Sequence, residues 1–186
     1  MRCFLAIVAV VSAACSPAPQ PAQPAASSTP VAGPAQAPPL TYGQHHHPIQ
    51  TSNAEAQKMF DQGMAQAYGF NHEAAIRSFE RASELDPNAA MPHWGRAWAL
   101  GPNYNIDIDD PRAKAAYEAV ARARSLADAA RGGADTERAY IEALAVRYSA
   151  DMKADRAALA RAYSRAMGEL SRNHPDDLDA AALYAE

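Results

Sequence analysis

The chain has 186 residues, with 17 Lys and Arg against 21 Asp and Glu, a formal net charge of −4 and two cysteines. Charges of both signs are interspersed, so the sequence offers no basic face for nucleic acid. Two cysteines are too few for a disulfide scaffold or a multi-cysteine zinc site, which leaves an apolar core to hold the fold.

The chain opens on a basic pair, Met1 and Arg2, followed by the apolar run "CFLAIVAVV" and the small residues "SAAC". That order of basic, apolar and small segments is the layout of a secretory leader over residues 1–14. The apolar run falls short of the about 20 residues that a spanning helix requires. Its ending "VSAAC" resembles a bacterial lipobox, although Ser12 stands where Leu is favoured. The resemblance implies lipidation of Cys15 as the mature N-terminus, with each buried methylene of the lipid adding about 0.8 kcal/mol of membrane attachment. Ser16 follows in place of the Asp typical of inner-membrane retention, which implies the outer membrane. The alternative is ordinary cleavage near Ala14 and a soluble periplasmic or secreted protein. Cys3 leaves with the leader in either case, so Cys15 has no internal disulfide partner.

Residues 15–40 carry the Pro- and Ala-rich segment "SPAPQPAQPAASSTPVAGPAQAPPL". Proline fixes φ and removes the N–H donor, so this composition reads as a disordered tether. At about 3.1 Å per residue it spans at most roughly 80 Å. Residues 41–186 then form a single domain rich in Ala, Leu, Glu and Arg.

The periodicity of that domain is helical throughout. Ser52 and Glu55 are spaced as a capping box for a first helix, in which Ala56, Met59, Phe60, Gly63, Met64 and Ala67 share one face. Gly69 closes it. Asn71 caps a second helix with an Ala75, Ile76, Phe79 and Ala82 stripe, ended by Asp86-Pro87. A third helix covers Ala89 to Leu100, with Pro92 in its first turn and Trp94 and Trp98 as a core pair, one buried and one at the rim. Asp110-Pro111 starts a fourth, as an N-cap acid followed by proline at the first helical position, and Gly132-Gly133 stops it. Asp135 caps a fifth, carrying Ile141, Leu144 and Tyr148. A long sixth carries Leu159, Tyr163, Met167 and Leu170, and a seventh follows "NHPDD" with Leu178, Ala181 and Ala182. The sequence stops inside that helix without a capping partner, which reads as truncation of a longer array.

Gly63, Ala75, Phe79, Ala82 and Pro87 stand at offsets that resemble the tetratricopeptide repeat, with Gln62 and Gln66 departing from its usual Leu and Tyr. Three blocks, "HHHPI", "AQKMFDQGMAQAYGFNHEAAIRSFERASELDP" and "HWGRAWALGPNYN", together look like the N-terminal part of a longer family of secreted bacterial repeat lipoproteins. The resemblance implies an all-α, right-handed solenoid of antiparallel helix hairpins, about three of them plus one unpaired C-terminal helix. It also implies a groove lined by the first helix of each pair, and it brings no catalytic residues with it.

Three constellations have chemical potential. His45, His46 and His47 stand together before the first helix, and stacked hairpins would bring them near His72 or His93. Imidazoles are common ligands of Zn or Cu, but the spacing fits no zinc pattern. Asn103, Asn105, Asp107 and Asp109 alternate like a calcium loop. They lack its central glycine, and Lys114 stands where a Glu is needed, so an Asx-rich turn is the better reading. Asp109-Asp110 and Asp176-Asp177 sit where helix starts favour negative charge. No nucleophile elbow, phosphate loop or dinucleotide turn occurs.

The sequence therefore points to a non-catalytic scaffold of the cell envelope that binds a peptide or partner helix, with no cofactor and with the membrane contacted through the lipid alone. Candidate groove residues are Gln57, Asp61, Tyr68, Arg96 and Arg138. The alternative is a metal-binding or metal-dependent role for His45 to His47 with His72 or His93. The lipid reading has a direct check. Cys15→Ser is expected to abolish metabolic labelling by palmitate and to move the protein from the membrane to the soluble fraction. Unchanged labelling would refute it.

Overall fold

The computed structural model describes residues 43–130 and 135–186. The leader, Cys15, the tether and the Gly132-Gly133 stop lie outside the described residues. The described chain is all-helical, built of α1 (Ala54–Tyr68), α2 (His72–Leu85), α3 (Met91–Leu100), α4 (Asp110–Ala129), α5 (Asp135–Ala145), α6 (Arg156–Asn173) and α7 (Leu178–Ala185). Each helix packs on the next in sequence, and α3 also packs on α1 and α5. One isolated bridge, Asn103 to Ile106, closes the turn between α3 and α4.

Several helix starts differ from the sequence reading by one residue. Asn53, not Ser52, caps α1, its side-chain oxygen accepting from the N–H groups of Glu55 and Ala56. Asn53 wins because its amide also donates to the Leu85 carbonyl at 2.9 Å, so one side chain serves the start of α1 and the end of α2. Asp109 rather than Asp110 caps α4, accepting from Arg112 N–H at 2.8 Å. Asp135 is the first residue of α5. Asn71, Asp155 and Asp177 cap α2, α6 and α7 with their side chains, whereas α3 starts after Ala90 without a side-chain cap.

Small residues bring the first three helices together. Gly63 of α1 and Gly95 of α3 both face the Phe79 ring of α2, and a Cβ added at either would lie 2.5 or 2.6 Å from that ring. Phe79 is fully buried in this slot, with Ala75 and Ala82 of the same helix. Pro87 stands exposed in the turn that follows α2. An aromatic chain then runs through the core. Phe60 lies 5.3 Å from Phe79 and 6.5 Å from Trp94, and Trp94 lies 5.4 Å from Tyr140 of α5. The indole N–H of Trp94 donates to the Tyr140 carbonyl at 3.0 Å, satisfying its one polar group inside the core. Trp98 is buried as well as Trp94, where the sequence had placed one ring at the rim. Tyr68 and Glu186 cover it.

Gly95→Ala would gain up to about 1 kcal/mol of helix propensity. It would also force a methyl group into a ring that has Gly63 behind it, an overpacking cost of about 1–3 kcal/mol. The expected net effect is destabilisation in denaturant titration, partly restored by the double variant Gly95→Ala, Phe79→Leu. A more stable Gly95→Ala would show that Phe79 is not wedged.

Candidate functional site

The segment preceding α1 is not loose tether. Pro48 holds its own φ and biases His47 toward extended backbone, and residues 45–51 lie across the helices as a strap. Its main chain is held by side chains of two helices. His47 N–H donates to Asp61 at 3.0 Å and Ile49 N–H to Gln57 at 2.9 Å, while the Gln57 amide donates back to the His47 carbonyl at 2.8 Å. Gln50 N–H donates to Glu137 of α5. Thr51 hydroxyl donates to Asp86 at 2.6 Å, beyond α2.

The strap's histidines meet carboxylates. His47 Nδ1 lies 2.7 Å from Asp179 Oδ2, and His46 Nδ1 lies 2.8 Å from Asp61. His45 Nε2 lies 3.4 Å from Asp179 Oδ1, which also accepts the Tyr68 hydroxyl at 2.8 Å. His47 is buried between Phe60 at 5.9 Å and Tyr140 at 5.2 Å, and the Tyr140 hydroxyl donates to Asp177 at 2.8 Å. Burial works to raise the Asp179 pKa. The hydrogen bonds from His47 and Tyr68 and the nearby His45 outweigh it and hold the carboxyl below its ordinary range. Burial pushes Glu137 up, against the hydrogen bond from Gln50 and the field of His47. Burial, reinforced by Asp179 and Asp177 respectively, also raises the Tyr68 and Tyr140 hydroxyls, so both stay neutral donors. Beside this cluster opens a cavity of about 630 Å³ lined by the three histidines, Glu137, Asp177 and Asp179.

Three of the five sequence-selected groove residues thus belong to one network: Gln57 and Asp61 grip the strap, and Tyr68 grips Asp179. The other two stand elsewhere. Arg96 pairs with Glu80 at 2.9 Å, and Arg138 pairs with Asp128 and donates to the Ala127 carbonyl at 2.8 Å. His93 is half-buried on α3, its pKa lowered by burial and then by Arg122 and Arg96. No hydrogen bond or ring contact among the described residues joins the triple to His72 or His93. Among the described residues, no group of three or more His, Cys, Asp or Glu side chains is placed to hold a metal ion. Asn103 and Asp109 of the alternating loop take local roles, Asn103 accepting from Asn105 N–H at 2.9 Å and Asp109 capping α4.

Asp179, Glu137 and Tyr140 were not singled out from sequence. Asp179 is 132 positions from His47, and Glu137 is 87 from Gln50. No local spacing signals contacts of that range.

A second pocket, of about 360 Å³, lies on the other side of Tyr68, where the α1–α2 turn, the α3–α4 loop and α7 meet. Its walls include Tyr68, Phe70, Trp98 and Tyr104, with His72 and Glu186 beside them. The α1–α2 turn is a Schellman motif: Asn71 N–H donates to the Gln66 carbonyl at 2.8 Å and Phe70 N–H to the Ala67 carbonyl at 2.9 Å. Its left-handed position, usually glycine, is filled by Phe70 at φ 59°, while Gly69 just before it takes φ −81°. A non-glycine residue there costs roughly 1–2 kcal/mol. Both ring nitrogens of His72 are buried without a hydrogen-bond partner. Burial is the main cause lowering its pKa, so the ring is held toward the neutral form.

No protein-family model matches the chain, and comparison with curated proteins and with solved structures found no match.

Because the Asp179 pKa is depressed in the fold, its contribution to stability is present above the ordinary carboxylate pKa and is lost as pH falls through the folded value. Asp179→Asn is therefore expected to melt below the parent protein at neutral pH, with the gap narrowing on acidification below the carboxylate range. Melting curves across pH test this, and a gap independent of pH would contradict it.

Proposed function

We propose that this protein is a non-catalytic interaction scaffold of tetratricopeptide type, held at the periplasmic side of a bacterial envelope by lipid on Cys15. Its helices would stack as a right-handed solenoid of hairpins and hold an extended peptide or partner helix on the face shared by α1, α3 and α5. Packing in sequence order, with α3 also touching α1 and α5, supports the solenoid reading. Gly63, Ala75, Phe79, Ala82 and Pro87 fit the repeat pattern in spacing and in burial, with the proline in the turn.

One observation carries the binding reading. The protein's own strap lies extended on α1 and α5, its main chain gripped by Gln57, Asp61 and Glu137. Side-chain amides and carboxylates that read backbone N–H and C=O groups are what an extended ligand requires, because they bind main chain of any sequence. The metal reading gains no comparable support: His45 to His47 are engaged by Asp61 and Asp179. The outer-membrane assignment rests on the "VSAAC" ending and Ser16.

The test is a cross-linking pull-down from native envelope membranes with the full chain and Cys15 intact. One dominant partner is expected, and Arg96→Glu with Arg138→Glu should reduce its capture. Both arginines sit in partly exposed ion pairs worth about 0–1 kcal/mol, so the double variant should keep its fold. No enriched protein, or capture indifferent to the charge reversal, would count against a groove on these helices.

A further inference from the structure

We infer that the pocket walled by Tyr68, Phe70, Trp98 and Tyr104 is a binding site for a small organic cation of the alkylammonium type, recognised by aromatic faces and the Glu186 carboxylate. The site shares Tyr68 with the strap network, its hydroxyl hydrogen-bonded to Asp179, and it stands whether or not the scaffold reading holds.

Phe70 is the first reason. Its backbone sits in the left-handed region, where glycine fits without strain, and its ring is 63% exposed. The Schellman bonds are made by main-chain groups and need no ring. Both the backbone and the solvent therefore disfavour phenylalanine here, and strain retained in this way points to a role outside folding. Tyr104, from the loop after α3, is 93% exposed and lines the same pocket.

The chemistry of the walls selects the ligand. Tyr68 and Trp98 meet at 5.4 Å and 64°, forming an aromatic corner. Aromatic faces carry negative quadrupole density and attract cations, most of all where water is excluded. Glu186 adds a full negative charge at that corner, its Oε2 accepting the Trp98 indole N–H at 3.0 Å. Among the described residues no Lys or Arg makes an ion pair with Glu186. Arg112 is committed to Glu73 and to the Ala99 and Leu100 carbonyls. His72, held toward its neutral form, adds no opposing charge. An anion would meet Glu186 and the negative ring faces. The volume of about 360 Å³ lies within the range of small-molecule sites.

Choline and its uncharged carbon isostere, 3,3-dimethylbutan-1-ol, separate charge recognition from simple apolar filling. Titrated against the full chain, choline should give saturable quenching of tryptophan fluorescence and saturable heat. The isostere should bind weaker by about tenfold, the scale of one desolvated cation–π contact. Phe70→Gly should weaken choline by about the same factor while its melting temperature rises, since glycine relieves the left-handed strain. Glu186→Gln, at an exposed side chain, should weaken choline and leave the isostere unchanged. Equal binding of the two compounds, no saturable response to choline, choline binding unaffected by Phe70→Gly, or a lower melting temperature in that variant would each overturn the inference.

Discussion

Everything in this fold hangs on how closely α1, α2 and α3 approach one another around Phe79. Two glycines on different helices give the ring its slot, and neither tolerates a methyl group without displacing it. Interiors are packed near crystal density, so such a slot fixes helix separation to within tenths of an ångström. The separation in turn lines up Phe60, Trp94 and Tyr140 as one aromatic chain from α1 to α5. That chain of tilted and edge-on rings links the early helices to α5 through the core.

The strap rests on these rings through His47. His47 packs against Phe60 and Tyr140, and it brings a hydrogen-bonding nitrogen into the core. A partly buried carboxylate such as Asp179 is costly unless several donors meet it. Here His47 and Tyr68 donate to it and His45 stands close by, while Gln57, Asp61 and Glu137 meet the strap's backbone groups. Most of the network's polar groups answer one another, His45 Nε2 being a buried nitrogen without a hydrogen bond.

The Phe70 pocket shows the opposite condition. Its aromatic walls are exposed, its backbone is strained, Glu186 makes no ion pair among the described residues and the His72 nitrogens lack partners. The two regions meet at Tyr68 and differ in exposure and backbone strain: the strap histidines lie against carboxylates, while Phe70 is exposed and left-handed.

What the sequence determined alone is local. Helical periodicity, the Asn71 cap, the breaks at Asp109-Asp110 and Asp176-Asp177 and the Gly63 to Pro87 spacing are written within a few residues of each other, where 3.6-residue geometry and capping chemistry act. Even there, Asn53 displaced Ser52 as a cap because its second partner, Leu85, lies on another helix. The histidine triple was visible as a cluster, but its partner Asp179 was not, since only packing brings α7 to the strap. The same holds for Glu137, which meets the strap across four intervening helices, and for Trp98, which burial by Tyr68 and Glu186 removed from the rim. Phe70 marks the limit most sharply. In sequence it stands beside a glycine that would suit a helix end, and only the tertiary turn decides which of the two takes the left-handed conformation.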